Sequence, residues 1–149
     1  METKAWLDGV RGILEHHPGP EGAERVVAYL QENFPHYTWV GIYWVEGDEL
    51  VLGPWRGPEA TEHTRIPIGM GVCGAAAASG RTEIVPDVSR DPRYLACFPY
   101  TKSEIVVPIV ADGRVVGEID IDSDRLDAFD ERDRVFLEGV ARLLAGTRA

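Results

Sequence analysis

The chain has 149 residues, enough for one domain with its own core, and a mix of 44% hydrophobic and 27% charged residues excludes a disordered tail. Its 25 acidic residues outnumber 15 basic ones, and a net charge of −10 leaves nothing to displace counterions from a nucleic acid. The longest apolar runs span a handful of residues, and METKAWLDGVRG holds acids and glycines where a secretory signal needs an apolar stretch, so neither a membrane span nor a leader is expected.

Trp6, Val10, Ile13 and Leu14 recur at helical spacing and predict a first helix that ends at His16-His17-Pro18-Gly19-Pro20. A second helix carries Ala23, Val26, Val27, Leu30 and Phe34 on one face and stops near Pro35. From Tyr37 the period changes to two. Tyr37, Trp39, Gly41 and Tyr43 point one way, and Thr38, Val40, Ile42 and Trp44 the other. Glu46-Gly47-Asp48 predicts a turn, and residues 49–55 return as the partner strand. Residues 56–71 read mostly as loop. Residues 72–79 form a small-residue helix ended by Gly80, and residues 83–85 a short strand. Residues 87–100, with Pro92 and Pro99, read as irregular. Residues 104–110 and 114–122 pair as a hairpin around Asp112-Gly113. Asp130 caps a closing helix whose core face is Phe136, Val140, Leu143 and Leu144. This order predicts an α+β fold, an antiparallel sheet with the terminal helices on one face.

Glu118, Asp120 and Asp122 lie at spacing two and leave the same face of their strand, while Ile119 and Ile121 leave the other. A two-residue turn would set Ile105 opposite Asp120. A three-residue turn, Ala111-Asp112-Gly113, pairs Glu104 with Asp120 and Val106 with Glu118, and keeps Ile105, Val107 and Ile109 on the core face. The second register is expected. It brings Glu104 and Asp120 to about 4.5–5.5 Å at Cβ, where mutual repulsion in a partly buried site raises at least one pKa. Spacing alone favours a plainer alternative, a solvated acidic sheet face. Asp120, Asp122, Asp124 and Glu131 also match the ligand spacing of a calcium-binding EF-hand. Arg125 in place of the turn glycine, Asp127 in place of an apolar residue and the strand-like residues before Asp120 argue against it.

Two cysteines cannot form a disulfide scaffold, and no spacing suggests zinc, so a reducing cytoplasm is the expected compartment. Cys73 starts the small-residue helix, where amide hydrogens and the dipole can stabilise a thiolate. Cys97 lies in the irregular segment, seven residues before Glu104. Without further context either cysteine is more often a small buried hydrophobe.

The succession RIPIGMGVCGAA (65–76), VPDV (85–88), LAC (95–97), KSEIVVP (102–108) and GEIDIDS (117–123) resembles the free methionine-(R)-sulfoxide reductases, which are single-domain GAF proteins. TWVGIYW and ELVLGPWRG upstream extend the resemblance from Tyr37 to Phe129. It implies one GAF domain over residues 1–149, with a ligand pocket on the sheet face opposite the terminal helices. It makes Cys97 the nucleophile and Cys73 a cysteine of the disulfide relay. Glu104, Asp120 and Asp122 contact the substrate, and Trp39 lines the pocket for its methyl group. The sequence departs from the pattern in two places. His63 stands where the family often has a further cysteine, and the family's HIACD is Tyr94-Leu95-Ala96-Cys97-Phe98.

The implied activity is reduction of free methionine-(R)-sulfoxide through a cysteine sulfenic acid and a disulfide. Trp39 and Tyr43 pack the methyl and stem, Asp120 and Asp122 hold the ammonium, and amides between Gly69 and Val72 take the carboxylate. Glu104 as a protonated carboxyl polarises the sulfoxide oxygen. A thioredoxin-like dithiol is the expected reductant, a homodimer is allowed for, and no metal or organic cofactor is needed. The alternative is a GAF module that binds or senses a small ligand without turnover. A sensor normally carries an output domain, for which 149 residues leave no room.

Overall fold

Three apolar helical stripes and six strands account for the architecture, and the computed structural model describes residues 2–96 and 98–148. In chain order the elements are α1 (Glu2–His16), α2 (Pro20–Asn33), β1 (Trp39–Glu46), β2 (Glu49–Arg56), β3 (Arg65–Pro67), α3 (Gly71–Ser79), β4 (Glu83–Val85), β5 (Ser103–Ala111), β6 (Arg114–Ser123) and α4 (Glu131–Ala145). The strands form one six-stranded antiparallel sheet in the order β3-β2-β1-β6-β5-β4. Helices α1, α2 and α4 pack together on one face, and α3 lies on the other against β3, β5 and β6.

The alternation read from the sequence sorts the two faces. Val40, Ile42, Ile105, Val107, Ile109, Ile119 and Ile121 meet Val26, Leu30, Phe136, Val140 and Leu144 in the helix-covered core. Tyr43, Val106 and Val85 meet Val72, Cys73 and Ala76 on the α3 side. Tyr37 departs from its predicted face. It precedes β1, stacks on Phe34 at 4.9 Å and joins the helix-side core, so the strand alternation does not govern it. The edge strand β3 falls in the stretch read as loop. Its three residues pair with Glu49, Leu50 and Val51 but bury only Ile66, too short for a periodic signal. A short 3₁₀ turn, Val88–Arg90, interrupts the irregular stretch.

The β5–β6 hairpin corrects the predicted register. Asp112 (φ 52°) and Gly113 (φ 76°) both take left-handed backbone and close a two-residue turn, with Ala111 opposite Arg114. A bulge follows at once: Val110 faces Val115, whereas Ile109 faces Gly117, leaving Val116 as the extra residue. The bulge moves the pairing by one, so Ile105 faces Ile121 and the isoleucines share the core face as expected. Glu104 faces Asp122 instead of Asp120, and Val106 faces Asp120 instead of Glu118. Counting residues in a turn cannot reveal a bulge beyond it.

At the other end of β6 the chain enters α4 through the predicted cap. Asp130 accepts from the Arg132 and Asp133 amides at 2.9 and 3.2 Å, and Asp133 Oδ2 accepts from the Asp130 amide at 2.9 Å. Asp120 and Asp122 sit inside β6, and Glu131 takes Arg134, so the residues with EF-hand spacing do not form a calcium loop. No described helix is long and apolar enough to cross a membrane.

Candidate active site

The α3-facing side of the sheet sets three rows of side chains across neighbouring strands. The first runs from Trp39 on β1 through Asp122 on β6 and Glu104 on β5 to Val85 on β4. The second holds Gly41, Asp120, Val106 and Glu83. The third holds Tyr43, Glu118 and Pro108. Side chains on one face at adjacent rows are within reach of each other. Glu104 therefore meets Asp122 directly and Asp120 on the diagonal, and hydrogen-bonding contact links it to both. The solvated acidic face that spacing alone favours is absent: Glu104, Glu118, Asp120 and Asp122 are all buried.

Such carboxyls are costly to ionise without donors. Asp122 is fully buried, and its Oδ2 accepts from the Thr101 hydroxyl at 3.2 Å while Oδ1 has no partner among the described residues. Burial, then repulsion from Asp120, pushes its pKa well above the ordinary carboxylate range. Burial also raises Asp120, against contacts from Glu104 and Cys73 and the field of His63, and its Oδ1 is likewise unpartnered among the described residues. Burial and Asp120 raise Glu118, with the Cys73 thiol beside it acting in the opposite sense.

Cys73 is the third residue of α3, but the thiolate expected there is not favoured. Its thiol is buried, and burial followed by the fields of Asp120, Glu118, Glu104 and Asp122 pushes its pKa well up. The first-turn amides cannot outweigh desolvation and four carboxyls. Cys73 Sγ and carboxylate oxygens of Glu104 and Asp120 lie within 4.8 Å of one another, close enough to share one cation. Cys97, the other expected catalytic cysteine, lies outside the described residues.

An aromatic wall stands beside these carboxyls. The indole of Trp39 folds over Gly41 and fills that space: a Cβ on Gly41 would meet Trp39 Cη2 at 2.3 Å, and one on Gly57 would meet Cδ1 at 2.3 Å. Trp55 stacks on Trp39 at 6.1 Å, and Phe98 tilts against it at 5.6 Å. The Trp39 N–H donates to the Glu59 carbonyl at 3.2 Å. Tyr43 is also buried, and its hydroxyl donates to the His63 carbonyl at 2.7 Å. The predicted amide cradle shrinks, because the Gly69 amide donates to Gly74 O at 2.9 Å and the Met70 amide to Pro67 O at 3.0 Å. Gly71 and Val72 remain as first-turn amides of α3, whose N–H groups lack intrahelical acceptors.

Sequence reasoning placed Trp39, Tyr43, Glu104, Asp120 and Asp122 on one face, where the fold brings them together. It did not single out Trp55, Thr101 or Glu118. The period-two pattern already marked Glu118 as a neighbour of Asp120, whereas Trp55 and Thr101 reach the site only through pairing across β1 and the approach to β5. His63 Nε2 lies 3.1 Å from the Ala96 carbonyl oxygen, a contact that ties the loop before β3 to the segment preceding Cys97.

Residues 21–147 match the GAF domain family. GAF domain-containing protein A of Dictyostelium discoideum is 47% identical over 120 residues, covering 80% of this chain and 74% of the relative. Free methionine-R-sulfoxide reductase of Escherichia coli (strain K12) is 38% identical over 118 residues, covering 79% of this chain and 68% of the relative. The X-ray structure of free methionine-R-sulfoxide reductase from Neisseria meningitidis in complex with its substrate superposes with a TM-score of 0.89 at 41% identity, covering 95% of this chain and 84% of that one. With its carboxyl-lined sheet face in the same fold, the chain belongs to the free methionine-R-sulfoxide reductase family of GAF-domain proteins.

Proposed function

We propose that the chain is an oxidoreductase that reduces free methionine-(R)-sulfoxide to methionine, with Cys97 as nucleophile and Cys73 as the thiol that closes a disulfide. The observation that carries this reading is the buried row of Trp39, Asp122 and Glu104 with Asp120 on the diagonal. Among the described residues Asp120 and Asp122 each keep an unpartnered oxygen, and the Trp39 indole lies over Gly41 beside them. The free amino acid has a cationic ammonium, an apolar methyl and a strongly accepting S=O. Asp120 and Asp122 receive the ammonium, whose charge restores their ionised forms. Trp39 packs the methyl with Tyr43 behind it, and the Gly71 and Val72 amides take the substrate carboxylate.

Protonated Glu104 donates to the sulfoxide oxygen while the Cys97 thiolate attacks sulfur. Methionine leaves with both electrons, and the oxygen stays on Cys97 as a sulfenic acid. Cys73 then displaces that oxygen as water to form the disulfide, which a thioredoxin-like dithiol reduces. The chain works in the cytoplasm, where such dithiols keep thiols reduced. The deciding experiment titrates thiols before and after addition of free methionine-(R)-sulfoxide and measures methionine. Loss of two thiols per chain with methionine formed supports turnover. Binding with no thiol lost would place the chain among ligand-sensing GAF modules instead.

A further inference from the structure

Three donors of two chemistries converge where α3 covers the sheet. Cys73 Sγ and one carboxylate oxygen each from Glu104 and Asp120 lie within 4.8 Å of one another. They come from α3, β5 and β6, and all three residues are buried. Donors around a tetrahedral zinc ion stand about 3.3–3.5 Å apart, given bond lengths of about 2.0–2.3 Å. Modest side-chain rotation therefore brings the three onto one ion.

A second feature points to a cation independently of this trio. Asp122 stands opposite Glu104 in the ladder, is 0% exposed, and its Oδ1 has no hydrogen-bond partner among the described residues. Asp120 Oδ1 is in the same condition at 2% exposure. Buried oxygens without donors are costly, and a positive guest offsets that cost. An ammonium meets the need through the carboxyls but gains little from a thiol beside them. A thiol set among carboxyls is instead the donor set of a borderline-soft divalent ion.

We propose that Cys73, Glu104 and Asp120 form a zinc site inside the candidate substrate pocket, with the Asp122 carboxyl alongside to draw the ion. Cys73 gives its thiol proton to solvent and binds as thiolate. No electron moves, and a chelator reverses the step. Three protein donors leave the fourth position of the ion to water. The thiolate sets the selectivity, since calcium and magnesium take oxygen ligands. Zinc there occupies the carboxyls that receive the ammonium and the thiol that closes the disulfide, so zinc and substrate exclude each other. This exclusion rests on the function proposed above, whereas the site itself does not.

The reduced full chain is titrated with Zn²⁺ by calorimetry, and with Cd²⁺ as a probe whose bond to a thiolate adds ultraviolet charge-transfer absorption. One ion per chain is expected, with the cadmium band present and the melting temperature raised by either ion. Ca²⁺ and Mg²⁺ leave the melting temperature unchanged. Cys73→Ser removes the band, and Cys73→Ser and Asp120→Asn each weaken zinc binding at least about tenfold. Glu104→Gln shows the same weakening should either variant fold poorly. His17→Ala removes a rival surface site, where the imidazole lies 3.8 Å from Glu21, and is expected to bind zinc as the wild type does. A chain that binds no zinc overturns the site. So does binding that survives Cys73→Ser and Asp120→Asn, or that His17→Ala abolishes. Exclusion is read in Cys97→Ser, which lacks the proposed nucleophile and keeps Cys73. Free methionine-(R)-sulfoxide at about ten times its own Kd is expected to raise the zinc Kd about tenfold. An unshifted zinc Kd overturns the exclusion alone. A metal-free wild-type chain that binds zinc when offered it but releases no methionine overturns the proposed function and leaves the site standing.

Discussion

Cys97 and Cys73 divide the proposed chemistry, and substitution separates their roles. Cys97→Ser is expected to abolish even one stoichiometric turnover, because the attacking sulfur is gone. Cys73→Ser is expected to release about one methionine per chain and then stall with Cys97 oxidised. Mass spectrometry after one equivalent of substrate checks both, and an unmodified Cys97 alongside methionine removes it as nucleophile. Glu104 is tested by Glu104→Gln, whose amide donates a hydrogen bond but supplies no proton. Turnover should fall by about 10²–10⁴-fold with the melting temperature maintained. An unchanged rate from pH 5 to 8 would take Glu104 out of the mechanism. At this scale the sequence was informative about identity and poor about state. GVCG marked a cysteine at a helix start, yet the helix-start argument pointed to a thiolate where burial and four carboxyls hold a thiol. Helix membership is local, whereas the surroundings of Sγ come from β5 and β6, more than 30 residues onward.

Strand β1 shows how an element carries the site. Its period of two sends Val40 and Ile42 to the helices and Trp39 and Tyr43 to the carboxyls, and one glycine lets the indole lie flat along the strand. Gly41→Ala places a Cβ 2.3 Å from Trp39 Cη2 and 2.5 Å from Cζ3. The ring has no easy retreat, with Gly57 closely under its other end and Trp55 and Phe98 against it. We expect a loss of about 1–3 kcal/mol from overpacking, read by denaturant unfolding. A raised KM and a changed near-UV tryptophan signal should accompany it, and a variant with wild-type stability and spectrum would show that Trp39 is not clamped. The hairpin between β5 and β6 carries the complementary lesson. Alternation placed every isoleucine of the hairpin on the correct face, but the turn is the two-residue Asp112-Gly113 and not the expected three-residue Ala111-Asp112-Gly113. The shorter turn and the bulge at Val116 each move the register by one, and together they shift the partners from Glu104–Asp120 to Glu104–Asp122. Face is set by the parity of each strand, but partner is set by where the ladder breaks, which strand packing decides.

For the whole molecule, the buried carboxyls set how stability varies with pH. Glu118, Asp120 and Asp122 are raised by burial, so the folded chain keeps protons that the unfolded chain gives up above pH ~4. Their contribution is fully present below the unfolded value and is lost as pH rises toward the raised ones. Asp133 acts in the opposite sense. Burial pushes it up, but His36 at 2.9 Å and Tyr37 at 2.7 Å on Oδ1 hold it lower overall, so its contribution is lost as pH falls through that lowered value. The substrate-free chain is expected to melt at lower temperature at pH 8 than at pH 5, with Asp120→Asn reducing the difference. Equal slopes in wild type and variant would show that the cluster does not carry the effect. By itself the sequence determined the α+β class, the helical stripes, the core face of the sheet, the cap at Asp130 and the family, because each is written in short-range periodicity or contiguous motifs. Only the tertiary structure decided that the acidic face is buried, that Glu104 faces Asp122, that Trp39 fills the space over Gly41, and that Cys73 lies beside Glu104 and Asp120. Those facts depend on α3 covering the sheet and on a bulge in its ladder, and desolvation and pairing arise between segments far apart in the chain.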